Sequence, residues 1–171
     1  MFRKRVMTSK KNVRFRFLLT VLLVFVMGDA NSMIKTPNDV FEQALRLGQQ
    51  VSQLRKANNI ETPFPSVSTP SNIAPRHVLQ KSLELLDKIN RLRRIKKMGG
   101  ITLPNYPSRE ITPDDVFDNV SRLVSELSLF SGIEIPKKID IQINGKIPAD
   151  VYRELWNISL ALDPVLGIRG L

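Results

Sequence analysis

The 171-residue sequence contains no cysteine and only one histidine, His77. The lack of cysteine excludes disulfides, thiol catalysis and cysteine-ligated metals. Zinc rarely accepts carboxylates alone, so a zinc site built around one histidine is disfavoured. A Ser-His-Asp triad would have to use His77, and no Gly-x-Ser-x-Gly motif lies near that residue. The sequence therefore predicts that the protein is not an enzyme and uses no cofactor or metal. His77 is interpreted as a polar residue at a helix start.

Phosphate and calcium motifs are also missing. The pair Gly99-Gly100 follows a helical pattern, whereas the glycines of a phosphate loop precede a helix. Around Asp140, the stretch DIQING lacks the Asp-x-Asp-x-Asp-Gly spacing of a calcium loop. The most basic stretch has no interleaved aromatic residues, which argues against nucleic acid as a partner.

The N-terminus carries a targeting pattern. Residues 1–16 hold seven Lys and Arg and no acidic residue, and residues 17–27 form an apolar run of 11 residues. A membrane span needs about 20 apolar residues, whereas a run of this length suits a secretory signal. Residues 1–30 are therefore predicted to be a secretory signal peptide, cleaved after Ala30 or Ser32, of a periplasmic or secreted bacterial protein. A retained inner-membrane anchor is the alternative.

Four short stretches share the pattern Pro-x-x-Val followed by an aromatic residue or Leu. Their prolines, spaced 38, 38 and 35 residues apart, are Pro37, Pro75, Pro113 and Pro148. A near-constant spacing of this size is typical of repeated supersecondary units. Residues 31–171 are predicted to form one domain. Its four repeats cover about residues 36–62, 74–103, 112–135 and 147–168.

Each repeat begins with the signals of a helix start. Proline is favoured at the first helical position, because its missing N–H would have no partner there. Thr36 and Thr112 precede their prolines, and their hydroxyls are predicted to accept a free N–H of the first turn. Two residues after the proline, Asp39, Asp115 and Asp150 place a negative charge where the helix dipole favours it.

An apolar stripe of helical period follows each start. Counted from the Val of each repeat, positions 0, 4, 7, 11 and 14 are apolar, with Ser82 the one polar exception. This spacing predicts one buried face of a helix of about 15–24 residues. Each helix is predicted to end at a left-handed Asn or Gly before Ile60, Ile101, Ile133 or Ile168.

The linkers between the helices are long for a bundle, whose connections usually span about 2–8 residues. Ten extended residues cover about 33 Å and a 20-residue helix about 30 Å, so each linker can run back along a helix. The predicted fold is all-α, a four-helix repeat array or bundle with long Pro-containing extended linkers. Parallel and up-down helix orders are both compatible with the pattern. Residues 139–147 are compatible with a short hairpin.

Apolar residues in the linkers favour linkers that pack on the helices over mobile ones. These residues are Ile60, Phe64, Val67, Ile73, Ile101, Leu103, Tyr106, Ile135 and Ile139.

The second repeat is strongly basic. Lys88–Met98 carries six Lys and Arg and no acid, whereas residues 31–171 hold 19 basic and 15 acidic residues. Cations at a helix C-terminus complement the dipole, which is one explanation. The other is a docking face for an anionic partner, with Lys88, Arg91, Arg94 and Lys97 as candidates. Trp156, the only tryptophan, is either part of the core or an exposed anchor for a partner.

From these features we expect an exported, non-catalytic helical repeat domain, an adaptor, scaffold or binding module of the bacterial cell envelope. An envelope protein is the expected partner. An anionic membrane surface or a cell-wall polymer is a further option, and nucleic acid is not expected. The alternative is a periplasmic carrier of a lipid or another small apolar ligand, because a helical bundle can enclose such a molecule.

Overall fold

The computed structural model describes residues 34–137, 139 and 141–167. These residues form four helices: α1 (Pro37–Ala57), α2 (Pro75–Ile95), α3 (Pro113–Ser131) and α4 (Pro148–Leu162). The predicted all-α fold with one long helix per repeat is confirmed, and the described residues contain no strand. The predicted signal peptide lies outside the described residues. Within the described ranges, none of the helices combines the length and apolar character that crossing a membrane requires.

All four helices start at the same end of the bundle. The proline that begins each helix and the valine three residues later line one small depression: Pro37, Val40, Pro75, Val78, Pro113, Val116, Pro148 and Val151. At the other end, the guanidinium of Arg55 in α1 donates a 3.0 Å hydrogen bond to the carbonyl of Ala161 in α4. The bundle is therefore parallel, which is one of the two orders that the sequence allowed.

The helices form a ring in the order α1, α3, α2, α4. Helix α1 packs against α3 and α4, and α2 packs against the same two helices. Consequently α1 and α2 occupy opposite corners of the bundle, as do α3 and α4. Four surface grooves run between neighbours in this ring, and each is named here by its two helices.

The predicted apolar stripes form the core. Positions 0, 4, 7 and 11 of every repeat are buried, including Ser82. Position 14 is buried in α1 and α2, and it is half-buried at Phe130 and at Val165, which lies beyond the end of α4. The largest wholly buried side chains are Leu47, Leu85, Leu86, Ile89, Leu123, Leu127, Leu155, Ile158 and Leu162. Leucine and isoleucine thus fill the interior from layer to layer.

The four helix starts share one hydrogen bond. The backbone N–H before each proline donates to the side chain three residues later, which satisfies a donor that the helix cannot use. The pairs are Thr36 to Asp39 (2.7 Å), Ala74 to His77 (3.0 Å), Thr112 to Asp115 (2.8 Å) and Ile147 to Asp150 (3.2 Å). His77 therefore takes the place of the aspartate, as the sequence indicated.

The predicted role of the two threonine hydroxyls is wrong. The hydroxyl of Thr36 donates to the carboxylate of Asp39, and that of Thr112 donates to Asp115. Each hydroxyl donates to a charged acceptor within reach, and no described hydrogen bond from a helix N–H reaches it.

Three helix ends follow the predicted pattern and one does not. The left-handed residues are Asn59 (φ 56°), Gly132 (φ 68°) and Gly167 (φ 74°), but in the second repeat Lys97 (φ 59°) replaces the expected glycine pair. There α2 ends at Ile95, and the turn closes before the glycines are reached. In this turn the N–H of Met98 bonds to the carbonyl of Arg93, as the N–H of Ile60 bonds to that of Arg55. Ile168 lies outside the described residues.

Linker 1 (residues 58–74) and linker 2 (residues 96–112) run back over the bundle. The N–H of Val67 donates to Asn157 at 2.8 Å, and Arg153 donates to the hydroxyl of Thr69 at 2.6 Å, so linker 1 lies on α4. In linker 2, Ile101 bonds through its N–H and its carbonyl to Asn90 of α2. The carbonyl of Thr102 accepts from Arg122 of α3. Linker 2 therefore lies in the α2–α3 groove.

Linker 3 (residues 132–147) leaves α3 and ends against α1. The carbonyl of Ile133 accepts from the Ser128 hydroxyl at 2.7 Å, and the N–H of Lys146 donates to Asn38 at 2.9 Å. The expected hairpin over residues 139–147 is not formed by its described residues, 139 and 141–147. Buried Ile139 and half-buried Ile143 anchor this segment to the bundle instead.

The linkers pack on the helices through only part of their apolar residues. Ile139 is buried, and Ile60, Val67, Ile73 and Ile101 are half-buried. The remaining four of the predicted set are exposed: Phe64, Leu103, Tyr106 and Ile135.

Candidate functional site

The cations that end the second helix form an exposed cluster, here called the cationic end. It consists of Arg91, Arg94, Lys96 and Lys97. Among the described residues, the only carboxylate within 4.0 Å of these four is Asp87, which lies 3.9 Å from the Arg91 guanidinium. Both of those side chains are more than half exposed, so the pair is weak. Three of the four predicted basic site residues belong to this cluster.

Lys88, the fourth predicted residue, lies apart from the cluster and faces α4. Its ammonium donates to the Asp163 carboxylate and, at 2.8 Å, to the Ser159 carbonyl. Arg93 is likewise used inside the fold, because it pairs with Glu126 of α3 at 2.9 Å. Of the six basic residues between positions 88 and 97, Lys88 and Arg93 therefore join α2 to neighbouring helices. The other four form the exposed cationic end.

Trp156 lies at the surface of α4, with about a third of its side chain exposed. Its ring meets the ring of Tyr152, one turn earlier, edge to face at 6.0 Å. The Lys81 ammonium of α2 stands 5.6 Å from the Tyr152 ring centre and 5.9 Å from that of Trp156. The two rings and the ammonium, here called the aromatic pair and its lysine, lie in the α2–α4 groove. The sequence placed Trp156 at the surface or in the core but did not find its two neighbours. The four-residue spacing of the two aromatics was the available signal.

A depression of about 170 Å³ adjoins the aromatic pair. Its lining residues are Ile73, His77, Gln80, Lys81, Glu84 and Tyr152. His77 is occupied by its helix-start hydrogen bond from Ala74. The Glu84 carboxylate is paired with Lys81. A basic, an acidic and an aromatic side chain thus line a mostly polar depression, which suits contact with a polar or charged group of a partner.

The α2–α4 groove differs from the other three in its covering. The described linker hydrogen bonds reach the outer side of α4, the α2–α3 groove, and the facing ends of α3 and α1. None of these bonds reaches the side chains of α2 and α4 that face each other. Ile73, at the end of linker 1, is the one linker residue that lines the depression in this groove, near the helix starts.

The α1–α4 contact contains a half-buried acid, Glu154. The carboxylate of Glu154 lies near Gly48, where an added Cβ would approach one of its oxygens to 3.3 Å. Burial raises the pKa of Glu154, and the charge of Arg153 and a hydrogen bond with Asn157 oppose that rise only in part. The two side chains that act on this carboxyl are Arg153 and Asn157, neither a nucleophile nor an acid, so we interpret Glu154 as part of the α1–α4 packing.

Two acids at the helix starts, Asp115 and Asp39, have lowered pKa values. The Arg109 guanidinium, hydrogen-bonded to Asp115, lowers the pKa of that carboxyl to about 2. The N–H of Thr36 lowers the pKa of Asp39. In the described part of the chain, no three histidine or acidic side chains come close enough to hold a metal ion. These carboxylates therefore serve the helix ends.

Two exposed features of the described surface, the cationic end and the aromatic pair with its lysine, can contact another macromolecule. They offer charge, an exposed indole edge and a groove that no described linker hydrogen bond reaches. Comparisons of this chain with protein-family models, with curated proteins and with solved structures find no match.

Proposed function

We propose that this chain is an exported, non-catalytic protein-binding module of the bacterial cell envelope, acting as an adaptor or scaffold. The observation that carries the proposal is the cationic end. Four exposed cations on one short stretch attract an acidic protein surface and orient it on approach.

The contacts that stabilise the fold use only some of the basic residues of the second repeat. In a parallel bundle all four helix C-termini lie at one end, where free carbonyls favour positive charge. Arg55 donates to a carbonyl at the end of α4, and Arg93 joins α2 to α3. Those two side chains serve the helix ends, whereas Arg94 and Lys97 point to solvent. The exposed cations are therefore free for a partner.

Export is supported by the leader pattern of residues 1–30, basic first and then apolar over 11 residues. The carrier alternative finds little support in the bundle interior. The apolar depression at the four helix starts has a volume of about 20 Å³, room for about one water molecule and far too little for a lipid. Among the described residues, the layers below it are filled by wholly buried leucine and isoleucine.

The test is capture of envelope proteins by the full-length, C-terminally tagged chain produced in its own host. We expect a specific protein to be retained by the unchanged chain and lost with Arg91→Glu/Arg94→Glu. The matched control, Arg76→Glu/Lys137→Glu, reverses two exposed cations outside the cationic end and should retain it. A His77→Asn variant keeps an acceptor for Ala74 and should also retain it, whereas a catalytic histidine would make this change inactivating.

Three results would contradict the proposal. One is equal retention by both charge-reversed variants. Another is flotation of the purified protein with vesicles of anionic phospholipid that depends on Arg91 and Arg94, since it would make the membrane the partner. The third is a stoichiometric small apolar molecule in native mass spectra, since it would indicate a carrier.

A further inference from the structure

We infer that the α2–α4 groove is the docking site for an extended, proline-containing segment of a partner protein. This inference rests on the proposed function and assigns its site. The segment would lie on the aromatic pair and its lysine, and its acidic end would reach the cationic end.

The internal repeat supplies the first argument. Each linker is an extended, proline-containing chain that returns along the outside of the parallel bundle. Linker 1 bonds to Asn157 and Arg153, linker 2 lies in the α2–α3 groove, and linker 3 joins the end of α3 to the start of α1. Among the described residues, no linker hydrogen bond reaches the corresponding groove between α2 and α4, and only Ile73 of linker 1 lines the depression at its helix-start end. The fold thus covers its outer surface with extended chain and leaves one position vacant for such a chain.

The chain preceding α1 approaches a different helix. The N–H of Lys35 donates to Asp114 of α3 at 2.9 Å, and the Lys35 ammonium lies 4.7 Å from the ring centre of Phe117. Helix α3 occupies the corner opposite α4. The described entry into α1 therefore lies away from the α2–α4 groove, and a segment of another protein is the better occupant.

The chemistry of the groove specifies what that segment contains. An exposed indole edge beside a tyrosine ring is the kind of surface on which proline rings dock, because extended proline-rich chains lose little entropy on binding. Ile95, seven residues after Lys88, lies on the same side of α2 and is 61% exposed. Counted from the valines that begin each stripe, Ile95 stands about 18 Å beyond Trp156 along the bundle, at 1.5 Å per residue. About six extended residues span that distance.

Charge sets the direction of the segment. The cationic end lies beside Ile95, near the C-terminal ends of the helices. An acidic residue of the partner therefore belongs at that end of the groove, and proline belongs at the aromatic pair. Two linkers of this chain have that order. Linker 1 begins its return with Glu61-Thr62-Pro63, and linker 3 with Glu134-Ile135-Pro136.

The test is site-specific photo-crosslinking in the native host, with p-benzoylphenylalanine in the full-length chain. The probe replaces Glu84, an exposed groove residue, or Ser125, an exposed residue of α3 that serves as the control. We expect a crosslink to another protein from position 84 and not from 125, with the linked peptide mapping to a proline-containing segment with an acid toward its N-terminus. Trp156→Ala should lower the crosslink at least tenfold, while the control Leu129→Ala, a change of an exposed leucine on α3, should not.

Because Trp156 is partly buried, melting of the Trp156→Ala variant is measured in parallel. Tyr152→Ala, which removes the other ring of the aromatic pair, provides a second route to the same loss of crosslinking. Crosslinks from position 84 to a second copy, to residues 1–33 or 168–171 of the same chain, or to lipid would overturn the inference. So would the absence of a crosslink while the unchanged chain still captures a partner through Arg91 and Arg94. That last result would contradict the docking site but not the proposed function. If the unchanged chain also captured no partner, both the docking site and the proposed function would be contradicted.

Discussion

The side-chain amide of Asn119 in α3 donates a 2.7 Å hydrogen bond to the hydroxyl of Ser82 in α2, inside the contact between the two helices. The Ser82 hydroxyl in turn donates to the Leu79 carbonyl one turn earlier, at 2.7 Å. Both side chains are buried. This pair explains why the one polar residue of the apolar stripes is a serine.

Replacement of Ser82 by alanine should therefore destabilise the bundle. The amide of Asn119 would lose its partner in a buried position, and such a loss costs roughly 1–2 kcal/mol. Urea denaturation of the purified protein measures the effect. The control Ser125→Ala removes an exposed hydroxyl and should change stability by less than about 0.5 kcal/mol. An unchanged midpoint for Ser82→Ala would show that water replaces the lost hydroxyl.

Replacement of Gln50 by leucine should have the opposite effect and stabilise the bundle. Its side chain is completely buried in α1, and its amide nitrogen and oxygen find no hydrogen-bond partner among the described residues. Gln50→Leu keeps a similar size and removes that unmet polarity, so we expect a gain of about 1–2 kcal/mol in the free energy of unfolding. Gln49→Leu, at the exposed neighbouring position, is the control. A loss of stability in Gln50→Leu would mean that the amide has a bound water or another partner.

Acid should weaken the start of α3. The folded-state pKa of Asp115 is about 2, below the ordinary aspartate value of 3.8, chiefly because of its hydrogen bonds with Arg109. A lowered folded pKa stabilises the native state above about pH 4, and this stabilisation is lost as the pH falls toward 2. Asp115→Asn should cost roughly 1 kcal/mol at pH 6, as for other lost helix caps. Denaturation curves between pH 2 and pH 6 should show the two proteins converging at the acid end, and a constant gap would refute this origin.

Glu154 should have the reverse pH dependence. Burial raises the pKa of Glu154 above the ordinary glutamate value of 4.5, so the unfolded state loses its proton at lower pH than the folded state does. Stability then falls as the pH rises from about 4.5 through the folded pKa. Glu154→Gln should melt at a higher temperature than the unchanged protein at pH 7, with the difference disappearing below about pH 4. Glu84→Gln is the exposed control. An equal difference at both pH values would point to packing rather than ionisation.

The local structure was predictable because its causes are local. A proline, an acceptor three residues after the cap and an apolar residue every three to four positions act within one helix, so the sequence predicted all four starts and stripes. His77 was recognised as a helix-start residue for the same reason. Lys97 was missed, because which residue adopts the left-handed conformation depended on where α2 ended, at Ile95 and so before the glycines.

The candidate site was only partly predictable. The basic stretch and Trp156 were visible in the sequence, but the separation of Lys88 from Arg91 and Arg94 depended on Asp163, 75 residues away. Tyr152 and Lys81 joined Trp156 only when α2 and α4 became neighbours.

The sequence alone determined that the chain forms four amphipathic helices with similar starts, since helix periodicity and capping need only near neighbours. The tertiary structure decided that the helices are parallel and that α1 and α2 lie at opposite corners. It also decided that no described linker hydrogen bond reaches the α2–α4 groove. The four stripes are nearly alike, so apolar burial does not distinguish their pairings. Specific contacts between distant residues, such as Asn119 with Ser82 and Lys88 with Asp163, favour one arrangement over the others.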